Sequence, residues 1–355
     1  MCLKTRRRWL DSVTQAALGA AVAAVVAGKK SSPKILLAGA ALGTIPDLDV
    51  LIGYGDPVSD MVKHRGFSHS LFIMLPFSWL LAQAWQQWRP SRFSFTQLWL
   101  LIAACLITHP LLDAFTSYGT QLLWPFDISF AVSSIFIIDP LYTIPLLVVI
   151  FASLFWREKM AKLCGIGLAI STVYLAWSVI ALQLIESRVE GDLAGTALEN
   201  KPVFIAPTPV NTVLWRVVVL DGDTYWEGLT SLLDKDNTID FIAKPRGEWL
   251  LNEKPKRLLM LEKFSDQFVR YQQIDDKLIV TDLRLGMAEY LPFSFAFAQE
   301  SNNDEWKMLS PEKMEEKRVR PKHLPALWLR LLGNQNINAN LCHIKECPDD
   351  LNSLL

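Results

Sequence analysis

The sequence is poor in charged residues and in histidine. Of its 355 residues, 20% are Asp, Glu, Lys or Arg and only five are His, whereas 51% are hydrophobic. That composition is too apolar for an ordinary soluble protein of this length. A strong excess of positive charge is also missing, because residues 1–186 hold fourteen basic and ten acidic residues, and residues 187–355 hold twenty-one and twenty-six. We therefore expect a membrane protein that does not bind nucleic acid.

The uneven distribution of charge predicts two domains, a multi-pass α-helical membrane domain at residues 1–186 followed by a soluble α+β domain at residues 187–355. About twenty apolar residues are needed to cross the hydrocarbon core of a bilayer. Four runs are close to that length: Ser70–Trp88, Leu98–Ala114, Ile137–Trp156 and Leu163–Ile185. Two shorter runs, at 15–28 and 35–46, are rich in Gly and Ala, and we expect tilted or re-entrant helices that pack closely against their neighbours.

The run at 15–28 has an alternative interpretation as the core of a signal peptide, because basic residues precede it. The lysines at 29, 30 and 34 and the lack of a cleavage site argue against that interpretation. Basic loops at 89–92 and 157–162, together with the basic N-terminus, predict that these ends face the cytoplasm. The opposite ends and residues 187–355 then lie on the other side, although Lys63 and Arg65 would also lie there.

The second half has the pattern of an α+β domain. Segments rich in Val, Ile, Phe and Tyr at 202–207, 212–233 and 277–298 predict strands, and the segment 255–271 predicts an amphipathic helix. This half has no Gly-rich phosphate loop, no G-x-S-x-G motif and no Cys/His metal spacing. Asp221 and Asp223 fit a hairpin turn better than a calcium site. Cys342 and Cys347 either form a disulfide or remain unpaired, and a metal knuckle with His343 would lack its second half.

Ionisable side chains are costly inside a membrane, so those near the predicted span ends indicate a site. His109 and Asp113 are four residues apart and share one face of a helix. Pro110, directly after the histidine, predicts that His109 begins this helix. The site is predicted from six such residues as metal ligands: Asp47, Asp49, His64, His69, His109 and Asp113.

Imidazole and carboxylate groups suit zinc, and also manganese or iron, and they can leave a coordination position for water. We therefore predict a divalent metal, zinc by preference, that activates water for hydrolysis. Asp49, His64 and Asp113 are the predicted catalytic groups. Five further residues are expected to orient the ligands or to contact substrate: Gln15, Arg65, Ser68, Ser70 and Asp139.

Four blocks in order carry a resemblance to a known family: DSVTQAALGAAV, GTIPDLDVLI, HRGFSHSL and HPLLDAFTSYGTQLLWPF. Over roughly residues 10–145 the sequence resembles the YdjM-like family of predicted metal-dependent hydrolases of the bacterial inner membrane. The resemblance implies a metal-dependent hydrolase located there, and the orientation predicted from the basic loops then places the soluble domain in the periplasm. The pattern is also similar, more loosely, to zinc-dependent phospholipase C proteins. Gln15 stands where a Thr-His pair is expected in many relatives, so one possible ligand is absent.

Two functions from different classes remain open. The first is a hydrolase that attacks an ester or phosphoester of a lipid or envelope molecule. The second is a non-enzymatic membrane protein, either an ion or metal carrier or a structural partner, in which the same residues form a buried network. An enzyme needs ligands that converge on an open cleft, whereas a carrier needs a path through the helices. The bilayer is a partner in both cases, and the sequence leaves the oligomeric state open.

Overall fold

The computed structural model describes residues 8–89, 92–288, 290–301, 305–315 and 323–342, with side chains from residue 12 onward. The first half is mainly helical, and its short 3-10 helices include Pro46–Leu51 and Phe67–His69. Its α-helices are α1 Arg8–Ala27, α2 Pro33–Thr44, α3 Pro57–Lys63, α4 Leu71–Trp88, α5 Phe95–Asp113, α6 Pro140–Phe155 and α7 Met160–Leu193. The prediction of an N-terminal helical region with apolar helices is therefore confirmed.

Three helical segments in the described residues are long and apolar enough to cross a membrane: Ser12–Lys30, Phe95–Asp113 and Arg157–Leu193. A fourth candidate is the pair Pro57–His69 and Leu71–Trp88, which bends by 53° at the break between them. The helix Pro140–Phe155 is apolar but shorter. The candidate span Ser12–Lys30 is thus longer than the apolar run at 15–28, because the helical segment also includes more polar residues on either side of that run.

The second half contains two antiparallel sheets, as the sequence predicts. The first has the order β1-β2-β3-β4 and the second has the order β5-β6-β7-β8. The strands are β1 Val203–Pro207, β2 Leu214–Asp221, β3 Thr224–Ser231, β4 Phe241–Pro245, β5 Val269–Ile274, β6 Lys277–Asp282, β7 Ser294–Glu300 and β8 Trp306–Lys313. Asp221 pairs with Thr224 across a two-residue turn, and Lys201 forms an ion pair with Asp221 at 2.7 Å.

Two further helices, α8 Lys256–Phe264 and α9 His323–Leu331, accompany the sheets. The predicted helix at 255–271 was too long. It ends at Phe264, and Val269 already begins β5, because Asp266 and Gln267 have φ angles of 49° and 67°, which no α-helix contains. Cys342 is disulfide-bonded, and Cys347, its predicted partner, lies outside the described residues together with His343.

The chain divides into two compact units. The first comprises Met1–Ile52, Lys63–Ile180 and Pro209–Asn211, and it contains most of the helices. The second comprises Gly53–Val62, Ala181–Thr208 and Thr212–Leu355, and it contains both sheets. In the second unit the last turns of α7 pack on the buried face of β2. The domain boundary at residues 186 and 187 stays a prediction.

Candidate metal centre

The segment that carries Asp47 and Asp49 is positioned by close contact between α1 and α2. Gly19 faces Gly39 and Gly43, and a Cβ atom added to Gly43 would lie 2.6 Å from the Gln15 carbonyl oxygen and 3.0 Å from Gly19 Cα. Only glycine allows two backbones to approach so closely. The 3-10 helix Pro46–Leu51 follows α2 after one residue, so this contact fixes where it begins.

Four side chains from three segments converge on one point. One ligand atom from each of Asp47, His69, His109 and Asp113 can be chosen so that all lie within 4.8 Å of one another. The Nε2 atoms of His69 and His109 are 3.1 Å apart. Each lies 3.3 Å from Asp113 Oδ2, and they lie 3.5 and 3.3 Å from Asp47 Oδ1. Three of these residues are buried, and the Asp47 side chain is 19% exposed.

The tautomer of His109 is set by a backbone carbonyl. Its Nδ1 lies 2.6 Å from the Gly43 carbonyl oxygen, which can only accept a hydrogen bond. Nδ1 therefore carries the proton, and the neutral ring presents a lone pair at Nε2. The contact between α1 and α2 thus also places the group that orients His109.

The tautomer of His69 follows from a chain of two hydrogen bonds. The Ser68 hydroxyl donates to Asp49 Oδ2 at 2.7 Å, so its single proton is used. Ser68 Oγ lies 2.9 Å from His69 Nδ1 and accepts the hydrogen bond from that nitrogen. His69 therefore also presents an Nε2 lone pair towards the common point.

This arrangement fits a bound cation. Two Nε2 lone pairs that face each other at 3.1 Å repel unless a positive charge lies between them. Asp47 Oδ1 and Asp113 Oδ2 are buried and accept no hydrogen bond in the part of the chain that the structure describes, an unusual state for a carboxylate oxygen. Ligands about 2.0–2.1 Å from a metal lie about 2.8–3.4 Å apart at adjacent octahedral or tetrahedral corners. The distances given above between the histidine nitrogens and from them to the carboxylate oxygens are close to this range.

The other oxygen of Asp113 is held by two donors. Gln15 Nε2 donates to Asp113 Oδ1 at 2.9 Å, and an Arg65 guanidinium nitrogen lies 3.3 Å from the same oxygen. Arg65 is almost fully buried and also donates to Thr116 Oγ1 at 3.1 Å. These contacts direct Oδ2 towards the histidines. Gln15 and Arg65, both predicted as orienting residues, therefore contact a member of the four-residue group.

Asp49 and His64 lie beside the four-residue group and are not members of it. His64 Nδ1 donates to Asp49 Oδ1 at 2.8 Å, and the Arg65 backbone N–H donates to Asp49 Oδ2 at 3.0 Å. The His64 ring lies 5.9 Å from that of His69 and 5.7 Å from that of Tyr118. Its side chain is 22% exposed. Asp49 thus orients two histidines, one directly and one through Ser68, and the predicted roles of Asp49 and His64 as ligands stay predictions.

The two remaining predicted residues have other contacts. Ser70 is the N-cap residue of α4, where its hydroxyl accepts from the Phe72 N–H and donates to the Trp124 carbonyl oxygen. Asp139 is the N-cap residue of α6 and accepts from the Leu141 N–H and from the Tyr174 hydroxyl. Asp139 and Asp113 both line a cavity of about 10 Å³, which is room for about one water molecule.

One part of the predicted geometry needs correction. His109 does not begin a helix but lies near the end of α5, and Pro110 is inside the last turns of that helix. The shared face of His109 and Asp113 is unaffected, since both still lie on one helix. Gly43 and Thr116, which hold His109 and Arg65 in place, were not among the predicted site residues. The G-x-x-x-G spacing of Gly39 and Gly43 is the signal that could have found the first.

Comparison with known proteins gives the family. The sequence pattern of the YdjM inner membrane protein family matches residues 10–185, which include the whole four-residue group. The chain belongs to this family. It is 31% identical over 118 residues to inner membrane protein YbcI of Escherichia coli (strain K12), which covers 32% of this chain and 67% of that protein. This membership supports a location in the inner membrane.

A second relative covers more of the chain. Uncharacterized protein YfhP of Bacillus subtilis (strain 168) is 25% identical over 211 residues, which covers 58% of this chain and 63% of that protein. The chain therefore spans about two thirds of the length of each of these two relatives. No solved structure matches it.

Proposed function

We propose that this protein is a membrane-bound, metal-dependent hydrolase that cleaves an ester or phosphoester bond of a lipid or another envelope molecule. The observation that carries the proposal is the convergence of four ligand atoms, together with neighbouring groups that set the tautomers of both histidines and the orientation of Asp113. Asp47, His69, His109 and Asp113 would hold the ion, and zinc is the metal that we expect for this ligand set. Manganese and iron are the other candidates.

The ion would polarise a carbonyl or phosphoryl oxygen and make a nearby water molecule more acidic. Asp49 and His64 are the residues that would carry out proton transfer in this reaction. Because His64 Nδ1 donates to Asp49, Nε2 of the neutral ring can accept a proton from an attacking water molecule. Asp49 then stabilises the positive charge on the ring, as a buried carboxylate does for a histidine base. The His64 side chain is 22% exposed, which fits a residue that meets a substrate.

A lipid substrate is supported by the apolar residues next to these groups in the chain. Leu48 lies between Asp47 and Asp49 and is 55% exposed, and Leu51 is 79% exposed. Phe67, next to Ser68, is also exposed, and its ring packs against that of Trp124. Exposed apolar side chains at a polar site suit a substrate with acyl chains. We further propose that this site and residues 187–355 lie on the periplasmic side.

The proposal is tested by metal analysis of the purified protein together with a screen of lipid ester and phosphodiester substrates. We expect about one divalent ion per chain, and His69→Ala and His109→Ala should lose both metal and activity. His64→Gln should keep the metal and lose activity by about 10²–10⁴-fold, the usual contribution of a general base. Each variant should still insert into the membrane, because its apolar segments are unchanged.

The non-enzymatic alternative gives different results. In a buried polar network without metal, a proton would lie between the two Nε2 atoms, and the wild-type protein would contain no stoichiometric divalent ion. A metal carrier would bind metal but cleave no substrate, and His64→Gln would leave its metal binding unchanged. Either result would reject the hydrolase.

A further inference from the structure

Helix α9 in the second unit has one apolar face that packs inward and another that is exposed. Its inner face consists of Ala326, Leu327 and Leu331, which pack against a cluster that includes Leu214 and Leu229. Its outer face, together with the residue that directly follows the helix, carries four large apolar side chains that are 43–61% exposed: Leu324, Trp328, Leu329 and Leu332. Leu324, Trp328 and Leu332 are spaced by four residues and so form one stripe along the helix. A nine-residue helix with apolar residues on both faces needs a partner for its outer face.

The orientation of α9 is fixed by a buried ion pair. An Arg330 guanidinium nitrogen donates to Asp234 Oδ2 at 2.8 Å and to the Leu229 carbonyl oxygen at 2.7 Å. Both side chains are almost fully buried. Rotating the helix to bury Trp328 would therefore break this pair and leave buried charges without partners, which is strongly destabilising. The apolar stripe must remain on the outside of this unit.

The same contacts place α9 beside the part of α7 that follows its apolar run. Arg188, on α7, donates to the Ser231 carbonyl oxygen and to Thr230 Oγ1. Ser231 Oγ in turn donates to the Leu331 carbonyl oxygen at 2.7 Å. The apolar run of α7 ends at Ile185, and three residues along a helix correspond to a rise of about 4.5 Å. If α7 spans the bilayer, the last turn of α9 therefore lies next to the point where α7 leaves the hydrocarbon core.

The sequence before α9 adds positive charge. Residues 317–322 read KRVRPK and include four basic residues. A basic segment joined to a short amphipathic helix with Trp and Leu on its exposed face is the pattern of a helix that lies in the membrane interface. Trp is enriched at that depth because its ring is apolar and its N–H is polar. Anionic lipid headgroups would complement the basic segment.

We propose that α9 docks on the bilayer surface, with Leu324, Trp328 and Leu332 inserted between the lipids. The occupant of the exposed stripe is thus a bilayer that contains anionic phospholipid. This contact holds the sheet-containing unit against the membrane at a second point, in addition to α7. It does not depend on the metal centre or on its chemistry.

The test uses the full-length chain in lipid vesicles that contain anionic phospholipid. An environment-sensitive fluorophore is attached through Leu332→Cys, which leaves Trp328 in place. The control position is Ile274→Cys, because Ile274 has similar exposure and precedes the acidic turn Asp275–Asp276. The unsubstituted chain gives the background from its native cysteines.

We expect a quencher carried on phospholipid to reduce the emission from position 332 at least about twofold more than that from position 274. A water-soluble quencher should give the opposite order. Replacing the anionic lipid by zwitterionic lipid should weaken the difference. Equal quenching at both positions would overturn the proposal. So would emission from position 332 that depends on the ratio of protein to lipid and not on the lipid quencher, because that result assigns the stripe to a second copy of the chain.

Discussion

The most specific prediction of the metal centre concerns the substitution Asp113→Asn. Asp113 Oδ1 accepts from Gln15 and Arg65, whereas Oδ2 faces the Nε2 atoms of His69 and His109 at 3.3 Å each. An asparagine at this position keeps the size of the side chain but has one oxygen and one NH₂ group. Its oxygen must face Gln15 and Arg65, since both are donors. Its NH₂ group is then turned towards the lone pairs of the histidines.

Asp113→Asn therefore replaces a metal ligand by a hydrogen-bond donor. Changes to the partners of metal ligands lower metal affinity by about 10- to 100-fold, so the loss of a ligand should exceed about 100-fold. Affinity is measured by competition with a chelator, and metal content by elemental analysis. The matched control is Asp139→Asn, the same substitution at another buried carboxylate in the helical region, and it should bind metal as the wild type does.

A second variant tests the reason for the loss. Gln15→Glu combined with Asp113→Asn provides an acceptor where Gln15 had a donor. The amide can then turn its NH₂ group towards Glu at position 15 and its oxygen towards the ion, and the total charge returns to that of the wild type. The double variant should regain at least about tenfold in affinity over Asp113→Asn, a recovery of the size that such partners control. If Asp113→Asn keeps wild-type affinity, or if Asp139→Asn loses as much, Asp113 is not a ligand.

Three further predictions test other parts of the structure. Gly43→Ala should lower metal affinity by about 10- to 100-fold in the chelator competition, because the added Cβ would displace the carbonyl that holds His109. The control Gly165→Ala should leave the affinity unchanged, since a Cβ there would meet Val25 Cγ2 at an ordinary contact distance of 3.7 Å. A reporter fused after Ile185 should be active in the periplasm and one inserted at 157–162 in the cytoplasm, and the reverse pattern would contradict the predicted orientation. Burial alone would raise the pKa of Glu227, but Arg216 and Lys244 lower this pKa to about 2. The ionised Glu227 therefore stabilises the folded protein above about pH 4.5, and this stabilisation is lost as the pH falls towards 2. Acid unfolding should become less steep in Glu227→Gln, and an unchanged profile would show that this ion pair does not control it.

Much of the candidate site could be predicted because ionisable side chains cost free energy in or near a membrane. Asp47, His69, His109 and Asp113 all belong to the small set of ionisable residues near apolar runs, and membrane proteins retain such residues only with a partner or a role. The spacing of four residues between His109 and Asp113 needs only helical geometry, so it survived an error in the position of the helix. Composition and periodicity likewise predicted the helical first half and the antiparallel sheets of the second.

The groups that set the tautomers could not be predicted in the same way. The acceptor for His109 is the backbone carbonyl of Gly43, and every residue has such a carbonyl. Asp49 is the same residue type as Asp47 and lies only two positions further along the chain, yet it bonds to His64, Arg65 and Ser68. Asp47 instead faces His69 and His109. Which carboxylate takes which role depends on the turn of the 3-10 helix Pro46–Leu51, and that conformation depends on packing between segments distant in sequence.

The charges at the site give an independent reason to expect a divalent ion. Asp47, Asp49 and Asp113 contribute three negative charges, and Arg65 contributes one positive charge that is almost fully buried. With neutral histidines, this group has a net charge of −2 in a region where uncompensated charge is costly. A divalent cation brings the sum to zero, whereas a monovalent cation or a single proton between the Nε2 atoms leaves −1. The charge balance and the two carboxylate oxygens that accept no hydrogen bond from the described residues therefore favour the same occupant.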